Sequence, residues 1–155
     1  MDLLLWRHAE AEDARPDGSD LARRLTAKGD RQAAAMGRWL NRNLPPETKI
    51  LVSPAVRTQQ TAQALGRPFA TVSAIAPGAS PDALLKAAGW PDGTYGETVL
   101  LVGHQPTLGL LAARLITGTP AAWSVKKGAV WWLQYRARRG HDETVLKLVL
   151  PAELA

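Results

Sequence analysis

Uninterrupted apolar runs alternate along this chain with segments whose apolar residues recur at helical spacing. The runs at 3–6, 50–52 and 98–102 lack polar interruptions, as is typical of strands buried on both faces. A further strand is predicted over 71–76. The remaining periodic segments predict four helices, at 26–43, 53–65, 81–88 and 106–116. Strands that alternate with helices predict an α/β fold with a mainly parallel central sheet and helices on both faces, a three-layer sandwich.

Capping residues mark the starts of three of these helices. Thr26 and Ser80 are of types preferred before the first helical turn, and Ser53-Pro54 places a capping residue directly before proline, which is favoured at the first helical position. After the last helix the pattern changes. Residues 129–135 and 144–150 have strand composition and flank a turn at 138–140, which predicts an antiparallel hairpin at the C-terminal edge of the sheet.

Length and composition narrow the class of protein. A chain of 155 residues is expected to form one domain, spanning 1–155. Cysteine is absent, which excludes disulfides, thiolate metal sites and cysteine nucleophiles. The apolar run at 3–5 is too short for a signal peptide, and no run approaches the roughly 18 residues of a membrane span. We therefore expect a cytoplasmic protein without membrane association.

The net charge of +5 and a pI near 10 favour acidic partners, such as phosphorylated substrates, nucleic acid or anionic lipid. The basic residues are scattered in short pairs, at 23–24, 126–127 and 138–139, rather than in a long stripe interleaved with aromatic residues. This distribution disfavours nucleic acid as the partner.

Polar residues suited to phosphate chemistry follow three of the predicted strands. Arg7 and His8 come after the first, Ser53 after the second with Arg57 in the following helical turn, and His104 after the strand at 98–102. The carboxyl ends of parallel strands meet at one edge, where helix N-termini also favour anions. If these residues converge, the chain is predicted to transfer phosphoryl groups; if they do not, it is an ordinary basic α/β domain.

The residue types indicate how such a site would work. Arginine grips phosphate oxygens in a bidentate manner, and a neutral imidazole can attack phosphorus and carry the group covalently. The second histidine could donate a hydrogen bond, and would add positive charge if protonated. Other chemistries are not supported by the sequence. The third histidine, His141, is not part of a metal-binding spacing, which disfavours a metal-dependent hydrolase. The chain also lacks the P-loop of ATP-binding proteins and the G-x-S-x-G elbow of serine hydrolases.

Four stretches resemble the signature motifs of the histidine phosphatase superfamily. Residues 7–10 (RHAE) are similar to its RHG motif, with Ala9 in place of glycine, and residues 25–33 (LTAKGDRQA) are similar to LTxxGxxQA. Residues 53–62 (SPAVRTQQTA) match SPxxRxxQTA in full, and residues 102–104 (VGH) resemble the second-histidine motif. The stretches occur in the family's order.

The resemblance implies a phosphoglycerate mutase-like fold, with His8 as nucleophile and Arg7, Arg57 and His104 completing a phosphate pocket. It implies neither a metal nor an organic cofactor. Within the superfamily the chain looks most like the SixA-type phosphohistidine phosphatases, because it is short and lacks a large insertion between Arg57 and His104. Ala14 stands where mutase-like members usually carry a phosphate-binding asparagine, which disfavours a mutase.

The sequence alone identifies neither the general acid nor the substrate. The family usually supplies a carboxylate after the third strand, but residues 75–82 contain no glutamate, which leaves Asp82 and Glu10 as candidates. The lack of a strong general acid is compatible with phosphohistidine as the substrate, because its imidazole is a labile leaving group. A phosphorylated signalling or phosphotransfer protein is the leading predicted substrate; the alternatives are small phosphometabolites and a non-catalytic phosphate-binding module.

Overall fold

A six-stranded sheet forms the centre of the computed structural model, which describes all 155 residues. The strands are β1 (Asp2–Arg7), β2 (Lys49–Val52), β3 (Ala70–Thr71), β4 (Thr98–Gly103), β5 (Val130–Arg138) and β6 (His141–Leu150). They lie in the order β3-β2-β4-β1-β5-β6, with the first four parallel and β5 antiparallel to both of its neighbours. The predicted α/β fold, with its C-terminal hairpin at the edge, is confirmed.

Four α-helices connect the strands: α1 (Ala27–Asn43), α2 (Val56–Gln63), α3 (Pro81–Ala88) and α4 (Thr107–Thr117). The predicted caps of α1 and α3 are confirmed, since the hydroxyl of Thr26 accepts from the backbone N–H of Gly29 and that of Ser80 accepts from Ala83. None of the helices combines the length and the apolar character needed to cross a membrane.

Two hydrophobic cores cover the two faces of the sheet. Successive strand residues point to opposite faces, so Leu3 and Leu5 pack against α3 and α4, while Leu4 and Trp6 pack against α1 and α2. All four side chains are fully buried. The uninterrupted apolar runs are therefore explained by a sheet that is covered on both sides, as the middle layer of a three-layer sandwich.

Several predicted boundaries are wrong. The hairpin strands extend to Arg138 and from His141, so the turn between them is shorter than predicted. The helix predicted from residue 53 begins at Val56, and Ser53 does not cap it, because its hydroxyl lies 2.7 Å from Nε2 of His104 instead. The strand predicted over 71–76 is reduced to β3. Residues Ser73–Ile75 turn into a 3-10 helix that buries Ile75 beneath α3, and Pro77 just beyond lacks the N–H that a longer ladder would need.

Candidate active site

The candidate site is built where three parallel strands end in register. The backbone N–H of His8, just after β1, donates to the carbonyl of Gly103 at the end of β4 (3.1 Å). On the other side of β4, the N–H of Ser53 donates to the carbonyl of Val102 (3.1 Å). His8, Ser53 and His104 therefore leave the sheet at the same edge, as the parallel topology predicts.

A pocket of about 320 Å³ at this edge brings together all four predicted residues, Arg7, His8, Arg57 and His104. The ring centroids of the two histidines are 5.4 Å apart. Other charged side chains also line the pocket: Arg23, Lys127, Asp13 and Asp20. With four cations against two carboxylates, the pocket favours an anion.

The hydrogen bond of His8 fixes which of its nitrogens can react. Nδ1 lies 2.7 Å from the carbonyl oxygen of Ala9. A carbonyl can only accept, so Nδ1 carries the proton and Nε2 keeps its lone pair. Burial lowers the pKa of His8 to about 4, reinforced by the charges of Arg57 and Arg7. At neutral pH this imidazole is uncharged, the state in which it can act as a nucleophile.

His104 is the second imidazole of the pocket. Its Nε2 lies 2.7 Å from the hydroxyl of Ser53. Burial lowers its pKa to about 3, with further contributions from the charge of Arg57 and from His8. The histidine is therefore neutral at pH 7, and the positive charge considered at the level of sequence is not available in the free protein.

Both arginines are anchored by backbone carbonyls. Arg57 is 3% exposed and donates through Nη1 to the carbonyl of Asp20 (2.8 Å), while its Nη2 pairs with the carboxylate of Asp20 (3.1 Å). Arg7 donates through Nη1 to the carbonyl of Val125 (2.8 Å). These contacts aim the two guanidinium groups into the pocket and leave donors free.

Three buried side-chain polar atoms lack a hydrogen-bond partner, namely Nε of Arg7, Nε of Arg57 and Nδ1 of His104. All three belong to the residues predicted to hold phosphate. A buried polar group without a partner costs about 1–3 kcal/mol, so native structures contain few of them. Their concentration in these three residues marks the place in the fold where buried polar groups are least satisfied.

The family-like motifs outside the pocket hold the loop that follows His8. Gly29 lies against this loop so closely that a Cβ atom there would overlap the carbonyl oxygen of Glu10. The side chain of Gln32 accepts from the N–H of Glu10 (2.9 Å), and the hydroxyl of Thr61 accepts from the N–H of Ala9 (3.0 Å). Helices α1 and α2 thus fix the loop independently of the His8 side chain.

Neither acid candidate from the sequence lines the pocket. Asp82 is 76% exposed and pairs with Arg114 on α4 (2.6 Å). Glu10 accepts from the hydroxyl of Thr26 (3.0 Å) and pairs with Lys28 (3.4 Å). No contact in the structure brings either carboxylate to the histidines.

The sequence did not reveal the two carboxylates that do line the pocket, Asp13 and Asp20, because both lie in the polar stretch at 10–24, between the first predicted strand and the first predicted helix. Burial opposes ionisation of Asp20, but hydrogen bonding to Arg23 and the charge of Arg57 outweigh it and lower its pKa. Asp20 is 37 residues from Arg57 in the chain, so only the tertiary fold reveals the pairing.

Comparisons with known proteins agree with this geometry. The sequence model of the histidine phosphatase superfamily (branch 1) matches residues 3–77. An uncharacterised protein of Mycobacterium tuberculosis is 38% identical over 120 residues, covering 75% of this chain and 74% of that protein. The phosphohistidine phosphatase SixA of Escherichia coli is 30% identical over 125 residues, covering 76% of each.

A solved structure of the protein histidine phosphatase SixA complexed with tungstate has the same fold. Its TM-score is 0.79 at 22% identity, and the match covers 98% of this chain and 97% of that one. The chain belongs to the histidine phosphatase superfamily. Within that superfamily, SixA phosphohistidine phosphatases are among its relatives in both sequence and fold.

The protonation of His8 gives a first testable prediction. We expect nitrogen NMR of the imidazole to show the Nδ1–H tautomer, with protonation only near pH 4 rather than near the ordinary 6.5. Because the folded-state pKa is lowered, His8 contributes stability that is complete above pH 6.5 and is lost as the pH falls towards 4. A midpoint near 6.5, or an Nε2–H tautomer, would contradict this assignment.

Proposed function

We propose that this protein is a phosphatase that carries the phosphoryl group on Nε2 of His8 before transferring it to water. One observation carries the proposal: His8 is neutral, its Nδ1–H is committed to the carbonyl of Ala9, and it lies in a pocket that the guanidinium groups of Arg7 and Arg57 also line. A nucleophile and electrostatic stabilisation are thus available in the same place.

The first step forms a bond between Nε2 and phosphorus and breaks the bond from phosphorus to the leaving group. The leaving group departs with the bonding electrons and takes up a proton from solvent. His8 then bears Nε2–P and Nδ1–H together and carries positive charge, which the carbonyl of Ala9 stabilises by accepting the Nδ1–H. In the second step a water oxygen bonds to phosphorus and the Nε2–P bond breaks, with its electrons returning to Nε2. The protons of the water stay on inorganic phosphate or pass to solvent, and His8 is neutral again.

The guanidinium groups stabilise the charge on the phosphoryl oxygens in both steps. Arg7 and Arg57 both line the pocket, and each guanidinium group keeps terminal N–H donors beyond those that anchor it, which can donate to those oxygens. His104 can add a hydrogen bond from a neutral ring. Because these donors are fixed before substrate binds, little reorganisation is needed in the transition state.

The substrate we propose is the phosphohistidine side chain of another protein. The similarity to the Escherichia coli phosphohistidine phosphatase supports this choice. Of the two carboxylates that line the pocket, Asp20 is engaged by Arg23 and Arg57 and has a lowered pKa, so it is a poor proton donor. No hydrogen bond links the other, Asp13, to either histidine. A site with weak acid catalysis favours a labile leaving group such as imidazole over an alkoxide.

The proposed substrate is tested by comparing turnover of a phosphohistidine peptide with turnover of sugar phosphates, nucleoside monophosphates and phosphoserine. We expect kcat/KM for the phosphohistidine peptide to exceed that for every alkyl phosphate by about 10²-fold or more, the usual scale of missing acid catalysis. Efficient hydrolysis of one small phosphometabolite, with poor turnover of the peptide, would favour a metabolite phosphatase instead. Oxyanion binding without turnover of any substrate would indicate a binding module.

A further inference from the structure

A second, larger cavity adjoins the active-site pocket. It has a volume of about 710 Å³ and shares Arg7 and Lys127 with the pocket. Helix α1 contributes Lys28 and Arg31 to one wall, and the segment before β5 contributes Lys126. We call this cavity, defined by Arg7, Lys28, Arg31, Lys126 and Lys127, the basic cleft.

The cations of the basic cleft are only partly neutralised. Glu10 pairs with Lys28 (3.4 Å) and Glu153 pairs with Lys126 (3.0 Å), and these are the two carboxylates of the lining. Arg31 and Lys127 have no carboxylate partner within salt-bridge distance. A concave surface with such an excess of like charge raises the local concentration of anionic partners.

The lining also indicates which kind of anion fits. Ala152 is its one hydrophobic residue, and no aromatic side chain contributes. Sites for small molecules are mostly apolar, and nucleic-acid bases bind on aromatic faces. A nearly all-polar cleft offers neither an apolar surface for a small molecule nor an aromatic face for a base. It is suited to carboxylates displayed on the surface of a folded protein, which keep part of their hydration.

We propose that the basic cleft binds an acidic segment of the phosphorylated protein while its phosphohistidine occupies the neighbouring pocket. This inference rests on the proposed function and extends it, because it assigns the recognition of the protein to a surface outside the reacting residues. The shared Arg7 and Lys127 place that surface directly beside the phosphoryl site, so both can be occupied at once.

Two peptides with one phosphohistidine, flanked by a run of aspartates in one and of asparagines in the other, test the proposal. We expect the wild-type protein to have about tenfold higher kcat/KM for the aspartate peptide, a preference that declines with added salt. Arg31→Glu should lower kcat/KM for the aspartate peptide about fivefold, mostly through KM, and leave hydrolysis of p-nitrophenyl phosphate unchanged. Arg38→Glu is the matched control, because Arg38 is exposed on the same helix but does not line the basic cleft.

Equal kcat/KM for both peptides in the wild-type protein, or equal losses in the two variants, would overturn the assignment. So would turnover of p-nitrophenyl phosphate with neither peptide hydrolysed. If p-nitrophenyl phosphate is not hydrolysed either, the proposed function fails. Fluorescence anisotropy of the labelled, unphosphorylated aspartate peptide then shows whether the basic cleft binds an acidic segment. Arg31→Glu should weaken binding of this peptide, and Arg38→Glu should not. Tighter binding of single-stranded DNA than of this peptide would reassign the surface to nucleic acid.

Discussion

Replacing His8 with alanine is expected to lower kcat by about 10⁴-fold or more on every substrate, because it removes the atom that bonds to phosphorus. The loss should appear in kcat rather than in the affinity for inorganic phosphate or tungstate, since the guanidinium donors stay in place. The fold should persist, because the loop after β1 is fixed through its backbone by Gln32 and Thr61. Steady-state kinetics with circular dichroism would measure both effects.

Asparagine at the same position separates the loss of the nucleophile from the loss of volume. The side-chain amide of His8→Asn can still donate to the carbonyl of Ala9 but cannot attack phosphorus, so this variant should be as inactive as His8→Ala. His141→Ala, which changes an exposed histidine at the start of β6, should retain full activity. Activity of either His8 variant within tenfold of the wild type would refute the nucleophilic role.

Replacing Arg57 with alanine is expected to lower kcat/KM by about 10²- to 10³-fold, the scale seen when one preorganised donor to a developing charge is removed. Arg57 is buried, and its Nε is one of the three unpaired polar atoms. Arg57→Lys should restore little of the lost kcat/KM. A single ammonium group cannot contact both the carbonyl of Asp20 and a phosphoryl oxygen in the geometry of the guanidinium fork. Tungstate affinity should fall in both variants.

Arg114→Ala is the matched control for this experiment. Arg114 also pairs with an aspartate, Asp82, but the pair lies between α3 and α4, outside the pocket. Its loss should leave kcat/KM within about twofold of the wild type, as expected for an exposed ion pair. If Arg57→Ala behaves like Arg114→Ala, then the buried guanidinium does not hold the phosphoryl group.

The elements that fill the core could be predicted from the sequence. The runs in β1, β2 and β4 are apolar without interruption because both faces of the sheet are covered, and this pattern requires no knowledge of tertiary contacts. The parallel order then places His8 and His104 at one edge. The convergence of Arg7, His8, Arg57 and His104 in one pocket could therefore be predicted, although their hydrogen bonds could not.

The features that the sequence did not reveal depend on contacts between distant segments. Ser53 has the residue type of a helix cap, but its hydroxyl contacts His104, which is 51 residues away in the chain. Asp20 pairs with Arg57 in the same long-range way. The basic cleft likewise joins residues of α1 to the segment before β5, which the scattered basic pairs in the sequence do not indicate.

Trapping the phosphoenzyme would show directly whether His8 is the nucleophile. The wild-type protein would be mixed with phosphohistidine peptide, quenched at alkaline pH within the first turnovers, and analysed by mass spectrometry of its peptides and by phosphorus NMR. We predict one phosphoryl group per chain, on Nε2 of His8, and none in His8→Asn. Turnover at the full steady-state rate without phosphorylated His8, or with the phosphoryl group on another residue, would rule out His8 as the nucleophile.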